Sequence, residues 1–222
     1  MTKTLVFHGG QVLTKAKIQL IYWGSSWNNT GNNPDKDSFD NAVKALLNSN
    51  YYSKVHQLSN IDFPVWEGSI VNTATPTKDL FFGADMVQSV RDMINTGLVP
   101  LPTSDPQLTY CVIAPSGAHS AHGSHIGGEH GHWPQNNPQF HFLWILNDNN
   151  LNNMTGYIGH EIVETITNPN GDGWFSDEGE IGDLCEMFVG TVIPGITAQR
   201  YWSNEDNHCV LPTGTRQGLS IM

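Results

Sequence analysis

His160, Glu161 and Glu164 make an H-E-x-x-E sequence, and a run of oxygen-bearing side chains follows it: Asn170, Asp172, Asp177, Glu178, Glu180 and Asp183. Side chains four residues apart on a helix lie about one turn from each other, so His160 and Glu164 can grip one ion. Glu161 points about 100° further round the helix. A carboxylate there can serve as general base, the division of labour that an H-E-x-x-H helix uses in zinc hydrolysis. Here the second ligand position is Glu164, and carboxylate oxygen is an acceptable zinc donor. The same three residues also suit a helix with a solvated polar face, since His, Glu and an i,i+4 acid are ordinary on surfaces. The acids downstream favour the metal reading, because one of them can supply a third ligand. Asp183 is preferred, with Glu180 next.

Those side chains need a helix to hold them. Tyr157, Ile158, Ile162, Val163 and Ile166 recur at helical spacing from residue 154 onward, and Asn168-Pro169 cannot continue the helix. Ahead of it, residues 16–23 read as a strand closed by Gly24, followed by an Asn-rich loop over 25–34. Asp35 or Asp37 can cap a helix to about Leu47, with Phe39, Val43, Leu46 and Leu47 as its buried stripe. Residues 51–58 suit a second short helix and 65–71 a strand, while 83–96 make a clear helix stopped by Gly97. Residues 108–114 and 140–146 read as further strands. The pattern predicts an α+β fold: a mixed sheet with packed helices, a zincin-like helix carrying H-E-x-x-E, and a long irregular C-terminal region. One domain over 1–222 is expected, with the sheet and its helices in 1–150 and the metal-site helix and loops in 151–222.

Between the last two strands, residues 116–138 carry five of the ten histidines, His119, His122, His125, His130 and His132, and His141 opens the next strand. Long loops inside compact domains are usually functional, so this one is a candidate lid or wall of the site. It can supply metal ligands, supply a general acid or substrate hydrogen bonds, or be a polar loop that happens to be rich in histidine. His122 and His125 are chosen as catalytic candidates because nearby glycines permit close backbone approach. The segment N-P-N-G-D-G at 168–173 places oxygens as the first half of a calcium loop does, but its twelfth position is Gly179. Calcium is therefore the alternative to Zn²⁺, and a turn satisfying its own backbone is the other reading. Trp202, in Y-W-S-N, suits either a flat platform at the site or a buried core turn.

Composition narrows the partners. The 222 residues are 38% hydrophobic, enough for a sizeable core, and carry a formal charge of −11. That balance repels nucleic acid phosphates and anionic membranes. No apolar run reaches the roughly 18 residues of a membrane span, and the first residues show no signal-peptide core. A soluble protein without membrane insertion is expected, its oligomeric state open.

Several motifs together resemble the EXORDIUM, or phosphate-induced, family: V-F-H-G-G-Q-V-L and I-Q-L-I-Y-W-G near the start, G-H-E-I-V-E-T-I-T-N-P, Trp174 and G-E-I-G-D-L-C in the middle, and Q-R-Y-W-S-N-E-D-N-H-C-V near the end. The similarity spans residues 7–210. It implies an α+β domain of plants and microbes, commonly exported, that shares the H-E-x-x-E helix and a downstream E-I-G-D-x-C; plant members are associated with cell growth. His160, Glu161, Glu164, Asn168, Pro169, Trp174, Glu180, Asp183 and Cys185 fall on the pattern. The resemblance also implies extracellular maturation and a Cys185–Cys209 disulfide, whereas Cys111, on a buried strand, is expected to stay a free thiol.

The expected function is a zinc-dependent, peptidase-like hydrolase. His160, Glu164 and Asp183 or Glu180 would hold the ion, Glu161 would take the proton from the attacking water, and a loop histidine would stabilise the oxyanion. Two alternatives stay open: a non-catalytic extracellular protein in which the metal stabilises a carbohydrate- or protein-binding surface, and a metal-free glycosidase using two of Glu161, Glu164 and Glu180.

Overall fold

The computed structural model describes residues 3–29, 31, 33–123, 126–133, 139–185 and 189–216. Five strands form the main sheet: β1 (Lys17–Trp23), β2 (Val65–Asn72), β3 (Leu108–Ile113), β4 (Gly128–Trp133) and β5 (Phe140–Ile145). Their order is β2-β1-β3-β5-β4; the first four run parallel, and β4 lies antiparallel to β5 at the edge. A strand covered on both faces must be apolar throughout, which is why β1 and β3 read as near-continuous hydrophobic runs. Alternate residues divide between two cores. Ile18, Leu20, Tyr22, Cys111, Ile113, Leu143 and Ile145 pack under helices α1 (Lys36–Leu47) and α3 (Leu151–Thr167). Ile21, Trp23, Tyr110, Val112 and Trp144 meet Met86, Val90 and Met93 of α2 (Gly83–Asn95) on the other face. The fold is α+β with a mixed sheet, as the sequence pattern predicts.

Caps set the helix bounds. The Asp35 carboxylate accepts from the Ser38 N–H at 2.7 Å and starts α1. Asn150 accepts from the N–H groups of Asn152 and Asn153, so α3 begins at Leu151, three residues before its apolar spacing becomes visible. The helix ends at Thr167, before Asn168-Pro169.

Two sequence expectations need correction. Residues 116–138 are not one long loop: His119–Ser120 pairs with Leu80–Phe81, and β4 pairs along its whole length with β5. The segment G-E-H-G-H-W has little intrinsic strand preference, and it is extended because an edge strand draws its hydrogen bonds from a neighbour. The C-terminal part is irregular over much of 168–185 but, among the described residues, also carries short paired strands. Val189–Ile193 and Ile196–Gln199 form a hairpin around Pro194-Gly195, with Gly195 at φ 81°. Tyr201–Ser203 pairs with His208–Val210, and Trp174–Phe175 pairs with Val6–Phe7.

The hairpin covers the outer side of α3. Gly159 lets the Tyr51 ring and Ala198 approach the helix; a Cβ there would stand 3.3 and 3.4 Å from them. Tyr51 donates to the Gln199 carbonyl at 2.6 Å. With the sheet below and the hairpin above, α3 is buried through most of its length, which rules out the solvated-face reading of H-E-x-x-E. Trp202 belongs to this core, its backbone N–H donating to the Ile181 carbonyl. None of the helices, among the described residues, is long and apolar enough to cross a membrane.

Cys185 and Cys209 are joined, with their Cα atoms 5.7 Å apart, and Cys111 is buried and free. Closing a loop across a sequence separation of 24 restricts the unfolded chain, worth roughly 3.5 kcal/mol on the chain-entropy model. Replacing both cysteines by Ala is expected to lower the denaturant-unfolding free energy by about that amount. Unchanged stability in the double variant would contradict this.

Candidate metal centre

Three segments meet at the H-E-x-x-E face. Helix α3 supplies His160, Glu161 and Glu164, edge strand β4 supplies His130, and the turn leading into the short helix Asp183–Cys185 supplies Glu180 and Asp183. That last helix is tied down by the Cys185–Cys209 bond. Glu161 and Glu164 are only 4% and 3% exposed. Burying such carboxylates demands compensation. Among the described residues no lysine or arginine pairs with Glu161, Glu164, Glu180 or Asp183; their ionic neighbours are His130 and His160.

Glu164 Oε2 lies 3.3 Å from His160 Nε2 and 3.5 Å from His130 Nδ1. His160 Nε2 lies 3.6 Å from Asp183 Oδ1, and His130 Nε2 lies 3.5 Å from Glu180 Oε1. Charge-assisted hydrogen bonds close to about 2.7–2.9 Å. Two donors bound tetrahedrally at about 2.0–2.1 Å stand roughly 3.4 Å apart. These spacings are compatible with donors around an ion, and both His160, Glu164, Asp183 and His130, Glu164, Glu180 could hold one.

The surrounding contacts hold these donors in place. Glu164 Oε1 accepts from the backbone N–H groups of Gly182 and Asp183 at 3.2 and 3.1 Å, which leaves Oε2 facing the histidines. Gly182 is required for that approach, since a Cβ there would stand 2.6 Å from His160 Nδ1 and 2.9 Å from Glu164 Oε1. Asn168 donates to Glu180 Oε1 and accepts from the Gly173 N–H, so the Asn168-Pro169 corner both ends the helix and orients an acid of the cluster. In the turn over 168–173 Asn170 donates to Gln11 and the Asp172 carbonyl accepts from Gly10, while Asn170 Oδ1 is buried without a hydrogen-bond partner.

The electrostatics follow from the geometry. Burial alone would pull the His160 imidazole down, but the Glu164, Glu161 and Asp183 carboxylates outweigh it and hold its pKa at about 9. His130 is raised in the same way, burial being overcome by Glu161, Glu164 and Glu180. Burial raises Glu161 against the opposing pull of His130, and raises Asp183 with Glu164 adding to the rise. Glu164 is driven down by the two histidines despite its burial.

These shifts give a sign to the pH dependence of the metal-free protein. The His160 pKa is 6.5 in the reference state and about 9 when folded, so its contribution is fully present below 6.5 and is lost as pH rises through about 9. Melting temperature in chelator is therefore expected to fall between those values. Added zinc should abolish the fall, because an imidazole ligand must be neutral to bind. A flat profile in chelator would show that the histidines have no such partners.

Of the residues singled out in the sequence, His160, Glu161, Glu164, Asp183 and Glu180 are brought together. His122 is not: it is half-exposed and forms a surface pair with Glu129 at 2.7 Å. His125 lies outside the described residues. The histidine that reaches the cluster is His130, one of five in its segment. No periodicity marks it, because its strand is an edge strand rich in glycine. His141 is buried away from the cluster, its pKa pushed down to about 4 by burial and by His132.

A cleft of about 320 Å³ opens onto the cluster, lined by Ile126, Gly127, Gly128, Tyr157, His160, Glu161, Asp183 and Gln199. A neighbouring cleft of about 410 Å³ shares Ile126, Gly127 and Tyr157 and continues toward His119 and Asp148. Comparison with family models, curated proteins and solved structures finds no match for this chain.

Proposed function

We propose that this protein is a zinc-dependent, peptidase-like hydrolase whose ion is held by His160 Nε2, Glu164 Oε2 and Asp183 Oδ1. The observation that carries this reading is the spacing of those donors, 3.3 and 3.6 Å from His160 Nε2, beside a cleft lined by His160, Glu161 and Asp183. One histidine nitrogen with two carboxylate oxygens suits zinc. A zinc ion held there would supply Lewis acidity toward a scissile carbonyl and the attacking water.

The chain's own residues do the rest. Glu161, whose pKa is raised by burial, is a stronger base than an exposed carboxylate; it accepts the water proton and returns it to the leaving amine. The backbone N–H groups on Glu164 Oε1 keep that carboxylate from turning during the reaction. His130 stands 3.6 Å from Glu161 Oε2. It faces carboxylates and so does not serve as the oxyanion donor.

A peptide is favoured over a glycan because β4 is the sheet edge. Its outer backbone groups can pair with an extended chain laid beside His130 and Gly128. The Cys185–Cys209 bond supports maturation in an oxidising compartment, in keeping with the proposed place of the chain in the EXORDIUM family.

The test is elemental analysis of protein purified without a metal-affinity step, together with a peptide and glycan hydrolysis screen. Zinc at one or more equivalents and peptide cleavage that chelation abolishes and zinc restores are expected. Metal without turnover would favour the binding-protein reading, and turnover surviving chelation would favour a carboxylate-only glycosidase.

A further inference from the structure

The donors of the cluster fall, among the described residues, into two sets of three: His160, Glu164 and Asp183 form one, and His130, Glu164 and Glu180 form the other. Within each set the donor atoms lie within 4.8 Å of one another, and only Glu164 belongs to both. We infer that the centre holds two divalent ions, the second gripped by His130, Glu164 and Glu180, with Glu164 bridging the pair. This rests on the proposed reading of the first set as the site of chemistry and adds a second, separable ion to it.

Glu164 is placed to bridge. Its Oε1 is committed to the two backbone N–H groups, so Oε2 alone is free, and that atom faces both histidines, at 3.3 Å from His160 Nε2 and 3.5 Å from His130 Nδ1. An oxygen shared in this way fits ions about 3.5–4 Å apart, the separation at which a metal pair clamps the attacking and leaving groups of a displacement.

His130 is placed to ligate. Its Nε2 faces Glu180 at 3.5 Å while its Nδ1 faces Glu161 at 3.6 Å. One ring nitrogen can bind an ion together with Glu164 and Glu180, whose donor atoms lie within 4.8 Å of it. Glu180 is held for the same purpose by Asn168.

Two further features point to a ligand not supplied by the chain. Glu161 is almost wholly buried, yet its Oε2, which faces His130, has no hydrogen-bond partner. An orphaned carboxylate oxygen inside a protein demands compensation. The second feature is charge. Glu161, Glu164, Glu180 and Asp183 bring four formal negative charges when ionised, with no lysine or arginine paired to them among the described residues. One divalent ion leaves two of those charges uncompensated when the histidines are neutral ligands; two ions leave none.

The experiment uses the whole protein, stripped with chelator, reloaded with Zn²⁺ by dialysis and measured for bound metal per chain, with circular dichroism to confirm folding. Wild type is expected to hold two equivalents, His130→Gln and Glu180→Gln one each, Asp183→Asn one, and Glu164→Ala none. A wild type that holds one equivalent, unchanged in His130→Gln, overturns the second ion and leaves the single-ion reading standing. No bound zinc in wild type overturns both. Should the variants fail to fold, wild type loaded to saturation with Mn²⁺ gives an independent answer by electron paramagnetic resonance: an exchange-coupled pair is expected, and isolated-ion hyperfine structure alone overturns the proposal.

Discussion

Glu161→Gln protein is expected to fold, to keep its metal and to lose turnover by about 10² to 10⁴-fold. The side chain is enclosed, with Gly128 so close that a Cβ there would stand 2.7 Å from Glu161 Oε1. Gln occupies the same volume, so packing is preserved. What it lacks is the capacity to accept a proton, and a carboxylate whose pKa is raised by burial is where that capacity matters most. Glu161 is not one of the proposed ligands, so metal content should not change. Metal content and rate must be read on the same preparation, since a rate loss accompanied by metal loss would assign Glu161 to coordination instead. Full activity with metal retained would remove Glu161 from the mechanism and leave the motif as a structural metal site.

Glu164→Ala is expected to reduce bound metal from stoichiometric to background. Among the described residues no other side chain belongs to both donor sets, and its removal takes away an oxygen within 3.5 Å of both histidines. It also strips the acceptor from the Gly182 and Asp183 N–H groups, at about 1–3 kcal/mol for each buried donor left unsatisfied. The variant should thus be less stable even in chelator. Glu164→Gln separates the two effects, because an amide oxygen can keep accepting from Gly182 and Asp183 while donating poorly to an ion. Metal retained at wild-type affinity in Glu164→Ala would mean that the ion sits elsewhere.

Much of this centre is legible in the sequence because its core is local. His160 and Glu164 are fixed relative to each other by one helical turn, and the helix announces itself through Ile158, Ile162 and Ile166. Glu180 and Asp183 follow the helix closely enough in sequence to be available as partners, and the turn returns them to it. The parallel strands are legible for a different reason: burial on both faces leaves apolar runs that nothing else explains. His130 is not legible, because its position depends on the pairing of β4 with β5, which backbone hydrogen bonds decide and side chains hardly mark. The C-terminal hairpin has a sequence signal, V-G-T-V-I-P-G-I-T-A-Q, in which two alternating runs flank a Pro-Gly turn. Helical geometry also places Glu161 well round the helix from His160, and the structure nevertheless brings Glu161, His160 and Glu164 into one cluster. The cluster has walls on two sides, with β4 reaching Glu161 and the turn carrying Asp183 reaching His160.

The loop histidine expected to assist the chemistry illustrates the same limit. His122 lies eight residues from His130 in the same glycine-rich run, yet it ends in a solvent-facing pair with Glu129. Successive strand residues point to opposite faces, so Glu129 and His130 cannot both face α3.

Whether the H-E-x-x-E face is a metal centre can be read from anomalous diffraction by crystals of zinc-loaded protein, with data on both sides of the zinc absorption edge. An edge-specific peak about 2.0–2.2 Å from His160 Nε2, Glu164 Oε2 and Asp183 Oδ1 is expected. A zinc-replete crystal with no peak within coordination distance of His160 and Glu164, or with its peak on other residues, would contradict it.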